Sequence, residues 1–287
     1  MDILLTLTSV TIFTLMLTIG VGESFEQLTS LWRQSRDLLH ALFAALVLVP
    51  IVVIVLLLVF DLPPAVATGM AVLAAAPGAP LTRKRSQMAG ADVHYVAPLQ
   101  LALALLAVVV TPIIISIFYA LFDLSIERVS PLAVASQVAR VTFVPVVIGL
   151  LLQRFAPKLV TKVKKPLNML ANILFIVLIL AIVAAIALTP EMQAMLLIGW
   201  SGLAAILIMA VAAIGIGHLL GGPRPGHQAG LATATLARNI GLALFIVELS
   251  ENGAQSIPSL LVYMLVGSAA AIPYAIWIKR KIKVQSN

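Results

Sequence analysis

The sequence predicts an all-α integral membrane protein of about nine transmembrane helices, and three observations carry that reading. Of 287 residues, 62% are hydrophobic and only 10% charged, with a mean hydropathy of +1.13. Soluble domains run at roughly 45–50% apolar and about 25% charged, so this chain has too little polar surface for a water-soluble globule. Apolar stretches follow one another almost end to end, each near the about 20 residues that a helix needs to cross a hydrocarbon core of about 30 Å. The lysines and arginines, finally, cluster directly beside apolar runs, and mostly on one side of them.

Apolar runs and their breakers place the spans at about 4–22, 38–60, 64–90, 96–122, 131–152, 166–188, 192–220, 227–249 and 257–278, all in a single domain, 1–287. Spans 1–4 (about 4–122) form one half and spans 5–9 (about 131–278) the other. Proline or glycine marks many joints: Pro63-Pro64, Pro131, Pro166, Pro190, the turn from Gly221 to Gly226, and Pro258. The N-terminus carries Asp2 and no lysine or arginine before Arg33, so Leu4 to Gly22 is expected to be a retained span, not a cleaved signal peptide.

Orientation follows from the basic residues. Arg33, Arg36, Arg154, Lys158, Lys162, Lys164, Lys165, Arg224, Lys279, Arg280, Lys281 and Lys283 fall on one side, and the loops of the other hold only Arg128. The positive-inside rule places the N-terminus outside and the Lys279 to Lys283 tail in the cytoplasm, which requires an odd number of spans. A bacterial inner (plasma) membrane is the expected location.

Several function classes fall away. The formal charge of +7 resides in short clusters beside apolar spans, which marks membrane topology and not a surface for nucleic acid. With no cysteine there is neither disulfide nor thiolate chemistry. His40, His94, His218 and His227 lack metal-ligand spacing and are expected to be isolated interfacial histidines, with no metal site and no cofactor. No nucleophile, base and metal constellation points to an enzyme.

Two spans differ from the rest. The third runs Ala74-Ala75-Ala76-Pro77-Gly78-Ala79-Pro80 and then Thr82-Arg83-Lys84-Arg85-Ser86-Gln87. Proline removes a helical hydrogen bond, and freed backbone groups at membrane depth are tolerated only where protein or a water-filled cavity satisfies them. The eighth carries Thr233, Thr235, Arg238, Asn239 and Gly241 in an otherwise apolar stretch. Arginine at mid-membrane costs about 2.5–3.5 kcal/mol on insertion scales, so something must offset it. Each is the penultimate span of its half. Paired interruptions of this kind predict an inverted-repeat transporter whose two broken helices cross at the site. The helix breaks are expected at Pro77, Gly78 and Pro80, and at Gly241.

The segment Ala76-Pro77-Gly78-Ala79 through Ala89-Gly90-Ala91-Asp92-Val93 resembles the first motif of the bile acid/sodium symporter family, roughly C-P-G-G-x-x-S-N-x-x-T-x-x-x-x-G-D. Ala237-Arg238-Asn239-Ile240-Gly241-Leu242-Ala243 is similar to its second, roughly M-Q-N-x-G-L-A. The resemblance implies ten helices in two inverted five-helix repeats, of which this chain begins at the second helix. It also implies sodium ligands, and here the chain departs. The family's serine and asparagine fall at Thr82 and Arg83, its threonine at Ser86, and a further ligand at Gln100. Its glutamate falls at Ala234, a glutamine at Arg238, and a glutamine of its third helix at Ala45. One carboxylate lost and two guanidiniums gained is a change of about three charge units against a bound cation.

The residues expected to bind substrate are Thr82, Arg83, Ser86, Gln87, Gln100, Thr235, Arg238 and Asn239. The resemblance implies a secondary or facilitative transporter, and the arginines point to a small organic anion handled without sodium. The alternatives are a sodium symporter with a displaced site built from Thr82, Ser86, Gln100 and backbone carbonyls, or a non-transporting sensor or scaffold on the same fold. Lys84 and Arg85 read as the cytoplasmic end of span three. Arg140 is expected to snorkel or to pair with Glu127 or Glu248.

Overall fold

The computed structural model describes residues 2–24, 26, 35–122, 124, 130–188, 198–250 and 252–286, and these form a bundle of helices with no strand among them. Helix α1 is Asp2–Gly22. Helix α2 covers residues 35–59 as Ser35–Phe43, a π turn at Ala44–Leu48, and Val49–Val59. Helices α3 (Pro64–Ala75) and α4 (Thr82–Met88) are halves of one broken span, followed by α5 (Val93–Leu121). Helix α6 covers residues 131–155 with its own π turn at Ala139–Phe143. After α7 (Pro157–Leu188) and α8 (Gly199–Leu220), α9 (Pro225–Leu236) and α10 (Ile240–Glu248) form the second broken span, and α11 is Ile257–Ser286.

Among the described residues seven helices are long and apolar enough to cross a membrane, and two shorter apolar helices, Thr6–Gly22 and Pro64–Ala75, join them. Together they fall on the nine predicted spans, so the chain is an α-helical integral membrane protein. Large apolar side chains such as Ile51, Leu58, Val109, Ile113, Ile176 and Leu180 are exposed on the outer faces, as expected where lipid replaces water as the solvent.

One boundary differs substantially from expectation. The sixth span begins at Pro157 and not at Pro166, separated from α6 by Ala156 alone. Proline suits a helix's first turn, where its missing N–H has no partner to lose, so Pro157 starts α7 while Pro166 lies inside it. The expected joint at Pro190 and the start of span seven, with Arg33, Glu127 and Arg128, lie outside the described residues.

Close approach is built from small residues. A Cβ on Gly149 would meet the backbone of Gly20 at 2.7 Å, which lets α6 lie directly against α1. Gly217 plays the same part between α8 and α9, facing the backbone of Ala232. At the centre, α10 packs on α3 while α9 packs on α4, so the two broken spans cross. The central window of the α9–α10 span is wholly buried by its neighbours, which is where non-helical backbone can exist at membrane depth.

His227 is not isolated. It stacks on Tyr95 with centroids 4.3 Å apart and lies 3.8 Å from Asp37 and 3.6 Å from Asp92. His218 Nδ1 likewise lies 3.0 Å from the Tyr274 hydroxyl.

Candidate functional site

Helix α3 stops at Ala75 because Pro77 and Pro80 cannot donate to it, and every carbonyl from Ala75 to Pro80 that has a polar partner takes it from another element or from the turn itself. Ala75 O accepts from Thr111 Oγ1 at 2.7 Å, and Ala76 O from the Asn239 N–H at 2.9 Å. Ala79 O accepts from Thr82 Oγ1 at 2.7 Å and from Gln100 Nε2 at 3.0 Å. Gln100 Nε2 also donates to Pro80 O at 2.8 Å, while its Oε1 accepts the Arg83 N–H at 3.1 Å. One glutamine on α5 therefore caps both sides of the break. Gly78 has φ +76°, and a Cβ there would lie 2.8 Å from Ala104 N, so glycine is required both for the turn and for the approach to α5.

The second break is built in the same way. Tyr263 Oη donates to Leu236 O at 2.7 Å, and Asn239 Oδ1 accepts from the Leu242 N–H at 3.1 Å, capping α10. The Asn239–Ala76 bond ties this break directly to the first. Gly241 faces Ile12 of α1, where a Cβ would lie 3.0 Å from the isoleucine side chain.

Arg238 is 3% exposed and pairs with no carboxylate among the described residues; both Nη1 and Nη2 donate to Ala45 O at 3.0 Å. That carbonyl is free for a reason that starts in the sequence. In a regular helix it would accept the Val49 N–H, but in the π turn Val49 donates to Ala44 O instead. The next π-type donor to Ala45 would be residue 50, and Pro50 has no N–H. The guanidinium thus satisfies a carbonyl orphaned by a π turn and a proline.

Two adjoining cavities result. The larger, about 460 Å³, lies within the range of small-molecule sites and is lined by Thr18, Glu23, Arg83, Lys84, Gln87, Gln100, Lys164, Asn168 and Asn172 among its polar residues. It lies towards the end of the bundle that carries Lys164. Leu15, Pro80 and Leu81 form its floor and are shared with a chamber of about 40 Å³, lined by Thr82, Arg238, Asn239 and Gly241. The chamber has room for a water or two but not for an organic solute. Inside the vestibule Arg83 Nη1 donates to Glu23 Oε1 at 2.5 Å; the Glu23 side chain is 4% exposed against 36% for Arg83. Burial pushes the Glu23 carboxyl above its ordinary value, with Arg83 and then Lys164 opposing that shift.

Arg83, Gln87 and Gln100 of the expected set thus line the vestibule, and Thr82, Arg238 and Asn239 the chamber. Ser86 and Thr235 line neither. Ser86 Oγ is buried without a partner, and Thr235 Oγ1 donates to Ala213 O at 2.7 Å, joining α9 to α8. Arg85, expected at the cytoplasmic end of the span, instead lines the chamber too, and its Nη2 donates to Ser268 Oγ at 3.4 Å. Arg140 is exposed and forms no pair with Glu248, which accepts from Thr8 Oγ1 at 3.2 Å. Glu23, Lys164, Asn168 and Asn172 are absent from the expected set. The last three recur at i, i+4 and i+8 on α7, a signal hidden by starting that helix at Pro166.

A membrane protein in which two broken helices cross beside a polar, cation-rich vestibule has the architecture of a secondary transporter. The chain matches the Sodium Bile acid symporter family over residues 9–193, more than half its length, and belongs to that family. The match covers the first break and ends before the second. No curated protein matches the chain.

Proposed function

We propose that this protein is a secondary carrier of a small organic anion and works without sodium. The observation that carries the reading is the vestibule: among its described lining residues Arg83, Lys84 and Lys164 face one carboxylate, Glu23, and apolar Leu15, Ile19, Leu81 and Ala171 complete the wall. Such a lining favours a negative headgroup on a carbon frame. By the positive-inside rule the Lys164 end is cytoplasmic, in a bacterial inner membrane, and the vestibule is the inward-open half of an alternating-access cycle.

Arg238 supports independence from sodium. It places a permanent positive charge at the crossing, because a guanidinium does not deprotonate at physiological pH. Of the oxygens available for a displaced ion, Gln100 Oε1 already accepts the Arg83 N–H, Ala79 O accepts from Thr82 Oγ1 and Gln100 Nε2, and Pro80 O accepts from Gln100 Nε2, which leaves Ser86 Oγ as the unengaged side-chain oxygen of that set.

The test is flux of radiolabelled cholate, pyruvate and succinate through purified protein in liposomes, with potassium replacing sodium. Flux that persists without sodium is expected, and flux that vanishes overturns the reading. No flux of any of the three under any cation gradient favours a membrane sensor or scaffold instead.

A further inference from the structure

We propose that Glu23 is a proton-coupling site: an anion that takes Arg83 from Glu23 obliges the released carboxylate to take up a proton, so anion and proton move together. The inference rests on the carrier reading above and adds its coupling ion.

The geometry sets up a competition. Arg83 reaches into the vestibule from the first turn of α4, and its one carboxylate partner among the described residues is Glu23, just past the end of α1. The two are unequally placed. Arg83 is about one-third exposed and open to a solute, whereas Glu23 is nearly enclosed and its Oε2 has no hydrogen-bond partner. A substrate carboxylate would therefore approach Arg83 from the cavity and displace Glu23 from it.

Glu23 cannot remain charged once displaced. Breaking a buried ion pair leaves an uncompensated charge in a poorly solvated place, and a carboxyl in that position neutralises itself by binding a proton. The charged groups facing Glu23 in the cavity are Arg83 and Lys84 from α4 and Lys164 from α7. Neither α6 nor α10, which also pack on α1, brings a charged group into it. With Arg83 engaged by substrate, Lys84 and Lys164 remain in the cavity, and of these Lys164 is the one that opposes protonation of Glu23. It already acts on Glu23 in the empty carrier, where it is the weakest of the opposing influences.

The step balances. A Glu23 carboxylate paired with Arg83, one monovalent anion and one proton from solution become a neutral Glu23 carboxylic acid and an Arg83–anion pair. Net charge is zero before and after, so the loaded site carries no more charge than the empty one. By linkage, the anion raises the proton affinity of Glu23 and the proton raises the affinity for the anion by the same factor. Glu23 has the higher pKa in the loaded state, so anion affinity falls by up to about tenfold per pH unit as pH rises between the two pKa values.

Two measurements test this. In purified Arg83→Gln protein, where the partner is removed without any substrate, infrared spectroscopy at pH 7 is expected to show a protonated-carboxyl band that disappears when Glu23→Gln is added. No such band between pH 6 and pH 8 overturns the proposal. In liposomes containing a trapped pH dye, uptake of cholate or pyruvate by the parent is expected to carry one proton per anion, and the remaining uptake by Glu23→Gln none. Flux without protons in the parent overturns the coupling alone. Absence of flux for both anions, with the infrared band present, overturns the carrier reading beneath it. Should Arg83→Gln fail to fold, the proton count in Glu23→Gln decides the matter.

Discussion

Replacing Arg238 by methionine is expected to destabilise the protein more when residue 50 is proline than when it is alanine. The guanidinium supplies both hydrogen bonds to Ala45 O, each 3.0 Å long. Hydrogen bonds to a charged group contribute about 1.5–3 kcal/mol, and leaving a buried carbonyl unpaired costs about 1–3 kcal/mol. The second cost arises only because Pro50 has no N–H to offer in the π turn. In a Pro50→Ala background the new N–H takes over the carbonyl, and that cost is removed. Arg238→Met also relieves the burial of a cation, but this contribution is common to both backgrounds and cancels in a double-mutant cycle. The coupling that remains is about 1–3 kcal/mol. Denaturant titration in detergent, followed through the three tryptophans, measures it by linear extrapolation. Equal costs in the two backgrounds, within about 0.5 kcal/mol, would show that Arg238 does not serve the orphaned carbonyl.

Gln100→Met keeps the volume but removes the bonds to Ala79 O, Pro80 O and the Arg83 N–H, for an expected loss of about 3 kcal/mol at about 1 kcal/mol each; an unchanged titration midpoint would contradict that role. Gly78→Ala forces a Cβ to 2.8 Å from Ala104 N at φ +76°, so the yield of monodisperse protein should collapse, whereas a normal yield would mean that the break can move away from α5. The chain has no cysteine, so exposed Lys158→Cys and Lys279→Cys can each be labelled singly. Both should react with an impermeant maleimide only from the cytoplasmic face, with Leu132→Cys reacting from the other, and labelling of either lysine position from outside would invert the assigned orientation.

The fold is readable from the sequence because only helices and closed barrels satisfy every backbone group at membrane depth, and continuous apolar runs of about 20 residues match the helix and not the short alternating strands of a barrel. The breaks were readable because Pro77, Gly78 and Pro80 leave carbonyls that a lipid-facing helix cannot tolerate, and the bonds from Thr111, Asn239 and Gln100 are the physical answer. What Arg238 bonds to was harder to see. Its acceptor is a backbone atom 193 residues away, and the only local sign of it is Pro50 placed five residues after Ala45. Thr235 looked functional because it shares a helix face with Arg238, but a threonine in a crowded helix can serve equally well as a bond to its neighbour. Glu23 escaped notice because a lone carboxylate at a span end has no pattern. Its meaning comes from Arg83, 60 residues later in the chain.

Arg238 and Arg83 are held in opposite ways, and under the proposal above that difference is why coupling falls to the outer one. Burying Arg238 costs about 2.5–3.5 kcal/mol on insertion scales. Against this stand its bonds to Ala45 O, about 1.5–3 kcal/mol, while at the crossing the carbonyl ends of α3 and α9 favour a cation and the N–H ends of α4 and α10 oppose it, each by about 0.3–1 kcal/mol. The two sides agree to within a few kcal/mol, so the charge rests stably where it is and nothing drives it to leave. A tethered cation in that position cannot report a gradient, because it never exchanges with solution. Arg83 has the opposite character: it is partly exposed, held by a single carboxylate, and opens on a cavity large enough for an organic solute. On this reading the crossing is fixed in charge and the vestibule is the part that responds, with Glu23 the one group there whose protonation can change when the substrate arrives.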